Sequence, residues 1–168
     1  YHNGELRLTL LRSAGDPDIY PNLGKFNISY SLYPHTDDWK NGVWAEGDDF
    51  NVPVYAAEPP SLALEKAHAT RPEEASFFSI DTPGVVLTGM KRAEEGNELI
   101  VRIAEVYGKE TVVNLRLPID AKSVRRLNLI EYPLENVSKP TVTGKNIQVK
   151  IKPNEIITLG ITPSRTEN

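Results

Sequence analysis

The chain has 168 residues, is 39% hydrophobic and carries a formal net charge of −4 at pH 7. Such a composition supports a folded core, and its acidic balance argues against nucleic-acid binding. The sequence has no cysteine, which excludes disulfides and thiolate metal sites and favours a cytoplasmic location. No apolar run approaches the roughly 18 residues of a membrane-spanning helix. Because the only methionine is Met90, we expect the chain to be part of a longer polypeptide.

The first part of the chain, residues 1–72, has a mixed pattern. Alternating apolar residues predict strands over 5–11 and 25–32, and the loop between them is rich in glycine, proline and aspartate. Two strands and one short helix cannot close a core, so this part needs further partners. Its exposed strand edges predict a homo-oligomer, formed by edge pairing or strand exchange.

A short helix is predicted after the second of these strands. The oxygens of Thr36-Asp37-Asp38 are candidate N-caps, and Trp39, Val43 and Phe50 would form its apolar side. Asn51-Val52-Pro53 is expected to end it, because proline disfavours the helical conformation of the residue before it.

The second part, residues 73–168, predicts an antiparallel β-sandwich. It follows a proline-containing connector over 58–75, and its short apolar runs are separated by turn residues without any helical stripe. Strands are expected at Val85–Met90, Glu98–Tyr107, Val113–Leu117, Ser123–Glu131, Ile147–Ile151 and Ile157–Ile161. Turns are expected at 95–97, 107–109, 118–120, 143–145 and 152–154.

Catalytic chemistry finds little support in the residues themselves. His35 and Asp37 resemble a fragment of a metal site, but the other histidines, His2 and His68, are distant in sequence, so no metal site is expected. Adjacent acidic pairs such as Asp48 and Asp49 are better explained as solvated surface charge than as glycosidase carboxylates. There is no Gly-x-Ser-x-Gly elbow and no glycine-rich phosphate loop.

Two tryptophans, Trp39 and Trp44, lie in the most aromatic stretch of the chain. Aromatic rings beside carboxylates and amides are typical of sugar binding, since rings stack on C–H faces and polar groups bind hydroxyls. The alternative is that these rings are buried in a core. Both interpretations stay open at this point.

Residues 9–94 resemble glycoside hydrolase family 38, the α-mannosidases, in particular the region downstream of the catalytic part in prokaryotic members. The similar segments are Leu10-Leu11-Arg12-Ser13, Asp16-Pro17-Asp18, Gly24, the run from Phe26 to Trp39, Asn51-Val52-Pro53, Phe77–Ile80 and Val85–Glu94. Weaker similarity continues at 128–131 and 154–159.

The resemblance implies that residues 1–72 are the tail of a mutarotase-like supersandwich and that the C-terminal β-sandwich follows. It places the zinc and the aspartate nucleophile in a catalytic domain upstream, so no catalytic residue and no zinc are expected here. The partners it implies are that catalytic domain and an α-mannoside substrate. Arg12 and Ser13 are the substrate-proximal candidates, although an ion pair of Arg12 with a nearby carboxylate is an alternative.

Two functional hypotheses follow. In the first, the chain is the non-catalytic C-terminal β portion of a zinc-dependent retaining α-mannosidase, where it shapes the cleft and stabilises the enzyme. In the second, it is a free-standing carbohydrate-binding or assembly module with Trp39 and Trp44 as its platform.

Overall fold

The computed structural model describes residues 3–17, 19–58 and 74–164. The chain divides into two compact units, Tyr1–Tyr55 and Ala56–Asn168. The domain boundary that the sequence predicts near residue 72 lies outside the described residues. Within the described ranges, no helix has the length and apolar character needed to cross a membrane.

The described residues of the second unit form eight strands in two antiparallel sheets, and the fold is mainly β, as expected. The strands are β1 (Ser79–Ile80), β2 (Val85–Arg92), β3 (Leu99–Glu105), β4 (Thr111–Arg116), β5 (Ala121–Leu127), β6 (Thr141–Thr143), β7 (Asn146–Ile151) and β8 (Ile156–Pro163). The first sheet has the order β1-β4-β7-β6 and the second the order β2-β3-β8-β5. We call them the β4–β7 sheet and the β3–β8 sheet after their central strands.

One hydrophobic core joins the two sheets. Its members alternate along the strands with outward-facing side chains, because successive residues of a strand point to opposite faces. The members of this core that are at most 2% exposed are Val101, Ile103, Val113, Leu115, Ile147, Val149, Ile151, Ile157, Leu159 and Ile161. The sequence alternation that predicted β4, β7 and β8 is therefore the inward face of the sandwich.

Each predicted strand of the sandwich is present, and all of the predicted turns separate consecutive strands. Most strand boundaries differ from the predicted ones by one or two residues, and the largest difference is in β5, where the run predicted to continue to Glu131 ends at Leu127. The side-chain oxygen of Asn128 accepts the backbone N–H groups of Ile130 and Tyr132 at 3.0 and 2.9 Å, which turns the chain. Glu131 has a left-handed φ of 70°, so the strand cannot continue through it.

The predicted helix is present as α1 (Val43–Asn51), but it begins later than expected. Its N-cap is Gly42, with a left-handed φ of 87°, and no side chain caps it. The expectation that Thr36-Asp37-Asp38 would cap it is wrong, because a separate turn, with Asn41 N–H donating to the Asp38 carbonyl, lies between them and the helix. The predicted end holds: Val52, next to Pro53, is extended.

Among the described residues, the runs 5–11 and 25–32 belong to no strand of a sheet, and within them Glu5 alone forms an isolated β-bridge. Their apolar side chains are exposed, for example Leu8 at 64% and Ile28 at 45%. The strand predictions for these two runs therefore do not hold in this structure. Alternation makes one face of an extended segment apolar, but a strand also needs a neighbouring strand to accept its backbone hydrogen bonds.

Candidate functional site

Arg12 and Ser13 lie in an exposed segment whose backbone is held by Asn22. The side-chain amide of Asn22 donates to the Arg12 carbonyl at 2.8 Å and approaches the Ser13 hydroxyl at 3.4 Å. Asn22 itself has a left-handed φ of 54°, which asparagine tolerates better than most residues. Among the described residues, the Arg12 side chain makes no ion pair with a carboxylate. This arrangement leaves the guanidinium accessible.

Trp39 and Trp44 line a common groove of about 310 Å³ on the side of α1. Their exposed fractions are 46% and 45%, so each ring presents about half of its surface to solvent. The Lys40 ammonium lies 5.7 Å from the Trp39 ring centroid, within the range of a cation–π contact. Asp48 and Asn51 place a carboxylate and an amide in the same groove. The groove thus combines ring faces with hydrogen-bonding groups.

His35 is occupied by local contacts. Its ring stacks on Tyr33 at 5.8 Å between centroids, and Nδ1 lies 3.3 Å from the Thr36 carbonyl oxygen. In the part of the chain that the structure describes, no three His, Cys, Asp or Glu side chains come together as a metal site would need. His35 and the carboxylates near it therefore do not form a ligand set for a zinc ion. His2 and His68 lie outside the described residues.

A carboxylate that the sequence analysis did not single out, Glu105, is buried at the end of β3 with 4% of its surface exposed. It accepts the backbone N–H groups of Tyr107, Gly108 and Asn154 at 2.8–2.9 Å. Burial acts to raise the pKa of Glu105, but these bonds and one from Lys109 outweigh it, so the pKa lies below its usual value. Glu105 therefore joins the β3–β4 and β7–β8 turns as an ionised group.

A signal for Glu105 is present in the sequence. It follows Val101 and Ile103 with the same two-residue period, so it lies on the inward face, where a carboxylate must be satisfied by donors. The donors come from the turn around Gly108, which directly follows. An acid at an inward position next to a turn is thus the pattern that would have revealed it.

The outer surface of the β3–β8 sheet carries a network of ion pairs. Lys91 binds Glu131 at 2.8 Å, and Arg125 binds Glu98 at 2.7 Å. Hydrogen bonding to Lys91, followed by the Glu94 N–H, lowers the pKa of Glu131, and the same bond with Glu131 raises the pKa of Lys91. This network anchors the loop that follows β5, so its charges stabilise the structure.

Comparison with known proteins identifies the region to which this chain corresponds. Residues 84–159 match the family described as "Glycosyl hydrolases family 38 C-terminal beta sandwich domain". The chain is 32% identical over 160 residues to "Alpha-mannosidase G" of Dictyostelium discoideum. The aligned region covers 92% of this chain and 14% of that protein. It is 28% identical over 158 residues to "Alpha-mannosidase 2C1" of Homo sapiens, with the same two coverages.

A more distant relative is named for a different activity. The chain is 24% identical over 170 residues to the "Putative mannosylglycerate hydrolase" of Halalkalibacterium halodurans, covering 92% of this chain and 17% of that protein. The chain thus spans 14–17% of the length of these three relatives.

Proposed function

This chain belongs to the C-terminal region of glycosyl hydrolase family 38, and we propose that it forms the non-catalytic C-terminal part of an α-mannosidase that hydrolyses terminal α-mannosides. The observation that carries the proposal is the match itself: nearly all of the chain aligns with α-mannosidases, and it spans a small fraction of each. The single core of the sandwich supports a role in stabilising the enzyme.

Under this proposal, another region of the same polypeptide would catalyse the zinc-dependent, retaining hydrolysis. We assign no catalytic step to the described residues, among which no three His, Cys, Asp or Glu side chains come together. What these residues supply under this proposal is a rigid β scaffold, with Glu105 joining two of its turns.

Arg12 and Ser13 are the residues proposed to approach the substrate. The bond from Asn22 to the Arg12 carbonyl fixes the backbone at this point, while the guanidinium has no carboxylate partner among the described residues. An arginine in this state can donate to sugar hydroxyls, because all its N–H groups are donors. Binding partners under this proposal are the upstream catalytic domain and an α-mannoside.

The proposal is tested by expressing the open reading frame that contains these codons, with and without the 168-residue segment. We expect hydrolysis of an aryl α-mannoside by the complete product, and loss of soluble activity on deletion. The isolated chain should show no turnover with added zinc. Metal-dependent turnover that persists in the isolated chain after repurification would contradict the assignment, as would full activity without the segment.

A second candidate function, a carbohydrate-binding or assembly module, is favoured by the Trp39–Trp44 groove with its carboxylate and amide.

The exposed apolar side chains of 5–11 and 25–32 also favour association into a homo-oligomer, which sedimentation over a range of concentrations would test. A cytoplasmic location is part of the proposal, and it rests on the cysteine-free composition.

A further inference from the structure

The outer surface of the β4–β7 sheet carries two adjacent cross-strand rows of polar side chains, next to a row formed by Val112 and Lys150. In one row Asn114 pairs with Gln148, which pairs with Thr141. In the next row Arg116 pairs with Asn146, which pairs with Thr143. Their chain neighbours, such as Leu115 and Ile147, point into the core, so the polar residues all face outward.

These rows line a shallow concavity of about 300 Å³. Asp81, which follows β1, provides a carboxylate at its border. The two apolar residues that also line it, Leu115 and Ile147, are at most 1% exposed and belong to the core. The accessible side-chain groups of the concavity are therefore amides, hydroxyls, one carboxylate and one guanidinium.

The amide groups of this surface are oriented by one hydrogen bond and still have donors and acceptors available for a ligand. Gln148 donates from its amide nitrogen to the side-chain oxygen of Asn114 at 2.8 Å. That bond fixes both amides and leaves the nitrogen of Asn114 as a donor and the oxygen of Gln148 as an acceptor. Asp81 and Arg116 form no ion pair with any described residue.

The β3–β8 sheet provides an internal contrast. There, Arg125 binds Glu98 at 2.7 Å, and Arg102 donates to Thr158 and to the Leu129 carbonyl at 3.2 and 3.0 Å. Because those arginines already have acceptors from the protein, they stabilise the sheet. Arg116 has the same side chain on an equivalent outer surface, and no side-chain acceptor satisfies it among the described residues.

An aromatic ring lies beside the polar rows. Phe77 is 62% exposed and lines an adjoining concavity together with Ser79, Arg116 and Lys145. Arg116 lines both concavities, so the ring and the amide rows border one continuous surface. A ring face for C–H groups beside paired donors and acceptors for hydroxyls is the combination that sugars require.

We propose that this surface, which we call the amide platform (Phe77, Asp81, Asn114, Arg116, Asn146 and Gln148, with Thr141 and Thr143), binds a neutral oligosaccharide. Adjacent donor and acceptor groups match hydroxyls, which both donate and accept. The polar rows themselves carry one carboxylate, Asp81, and one guanidinium, Arg116, whereas their other side chains are neutral amides and hydroxyls, which favours a hydroxyl-rich ligand over an anion. The choice of mannose as the sugar rests on the proposed function, whereas the inference that the amide platform binds an oligosaccharide does not.

The test is a titration of the full ¹⁵N-labelled chain with an α-linked mannotriose, followed by NMR. We expect shifts in the side-chain amide signals of Asn114, Asn146 and Gln148 and in the backbone of β4 and β7, with the β3–β8 sheet unaffected. Arg116→Ala and Asn114→Ala should each weaken binding by about fivefold or more, since each removes ligand hydrogen bonds. Arg125→Ala is the matched control, because it removes the same side chain from the other outer surface, and it should bind as the parent does.

Titrations with maltotriose separate this inference from the proposed function. Binding of maltotriose but not mannotriose at the platform would support the saccharide surface and count against the mannosidase assignment. No shift with either sugar at concentrations on the order of 10 mM would overturn the inference. Shifts confined to the Trp39–Trp44 groove would overturn it too, as would equal weakening by Arg125→Ala.

Discussion

Residues 3–58 and 74–164 carry the same kind of alternating apolar pattern, but the alternating side chains are buried only in the second of these regions. In the sandwich, alternate residues such as Ile103 and Leu159 are fully buried between two sheets. In the first unit, residues with the same spacing, such as Leu8 and Ile28, keep about half or more of their surface exposed. Alternation thus defines an apolar face, but burial depends on whether a second layer covers that face.

The largest expected effect tests this contrast with one substitution in two places. Ile103→Ala removes a fully buried side chain and should lower the free energy of unfolding by about 2–5 kcal/mol. Ile28→Ala removes a side chain that is 45% exposed, and it should cost less than about 1 kcal/mol. In urea denaturation, circular dichroism of the strands follows the sandwich with Ile103, and tryptophan fluorescence follows the first unit, which contains Ile28 and both tryptophans. Equal destabilisation by the two variants would show that the first unit buries Ile28 in solution.

A pair of glycines sharpens the account of the sandwich itself. Gly84 has a φ of +76°, and a Cβ there would lie 2.5 Å from the Tyr107 ring. Gly96 has a φ of +83° with nothing within 4 Å. Gly96→Ala should therefore cost only the backbone strain, about 1 kcal/mol, and Gly84→Ala should cost about 2–4 kcal/mol because the ring must also move. Urea midpoints of the two variants measure the difference, and similar values would mean that Tyr107 yields without cost.

Glu105 gives the sandwich a dependence on acid. Its pKa in the folded chain lies below the ordinary glutamate value of 4.5, because its hydrogen bonds stabilise the ionised form. The stability it contributes is complete above the unfolded pKa and is lost as the pH falls through the folded pKa. We expect Glu105→Gln to lower stability at pH 7 by roughly 1–2 kcal/mol and to weaken the decline of stability below about pH 4.5.

Denaturation between pH 3 and pH 7 measures this effect. Glu95→Gln, at an exposed glutamate in the β2–β3 turn, is the matched control and should leave the pH profile unchanged. If the pH dependence of stability were unaltered in Glu105→Gln, protonation of other groups would be responsible for the acid sensitivity.

The sequence predicted the sandwich well because its strands carry their own evidence: inward residues such as Val113 and Leu115 alternate, and glycine or proline marks each turn. It failed where structure depends on a partner, as in 25–32, and where a side chain redirects the backbone, as Asn128 does after β5. The amide platform could not be predicted, since Asn114 and Gln148 are 34 residues apart and only the strand register brings them together.

The smallest expected effect concerns the two tryptophans. Both rings are about half exposed, and α1 contributes no buried residue, so Trp39→Ala and Trp44→Ala should each change the unfolding of the sandwich by less than about 0.5 kcal/mol. Circular dichroism in urea measures this. Quenching of tryptophan fluorescence by mannotriose, abolished in either variant, would instead identify the groove as a sugar platform. Loss of the urea transition that the remaining tryptophan reports, in either variant, would show that the rings are core residues and that the first unit is better packed than its exposed side chains indicate.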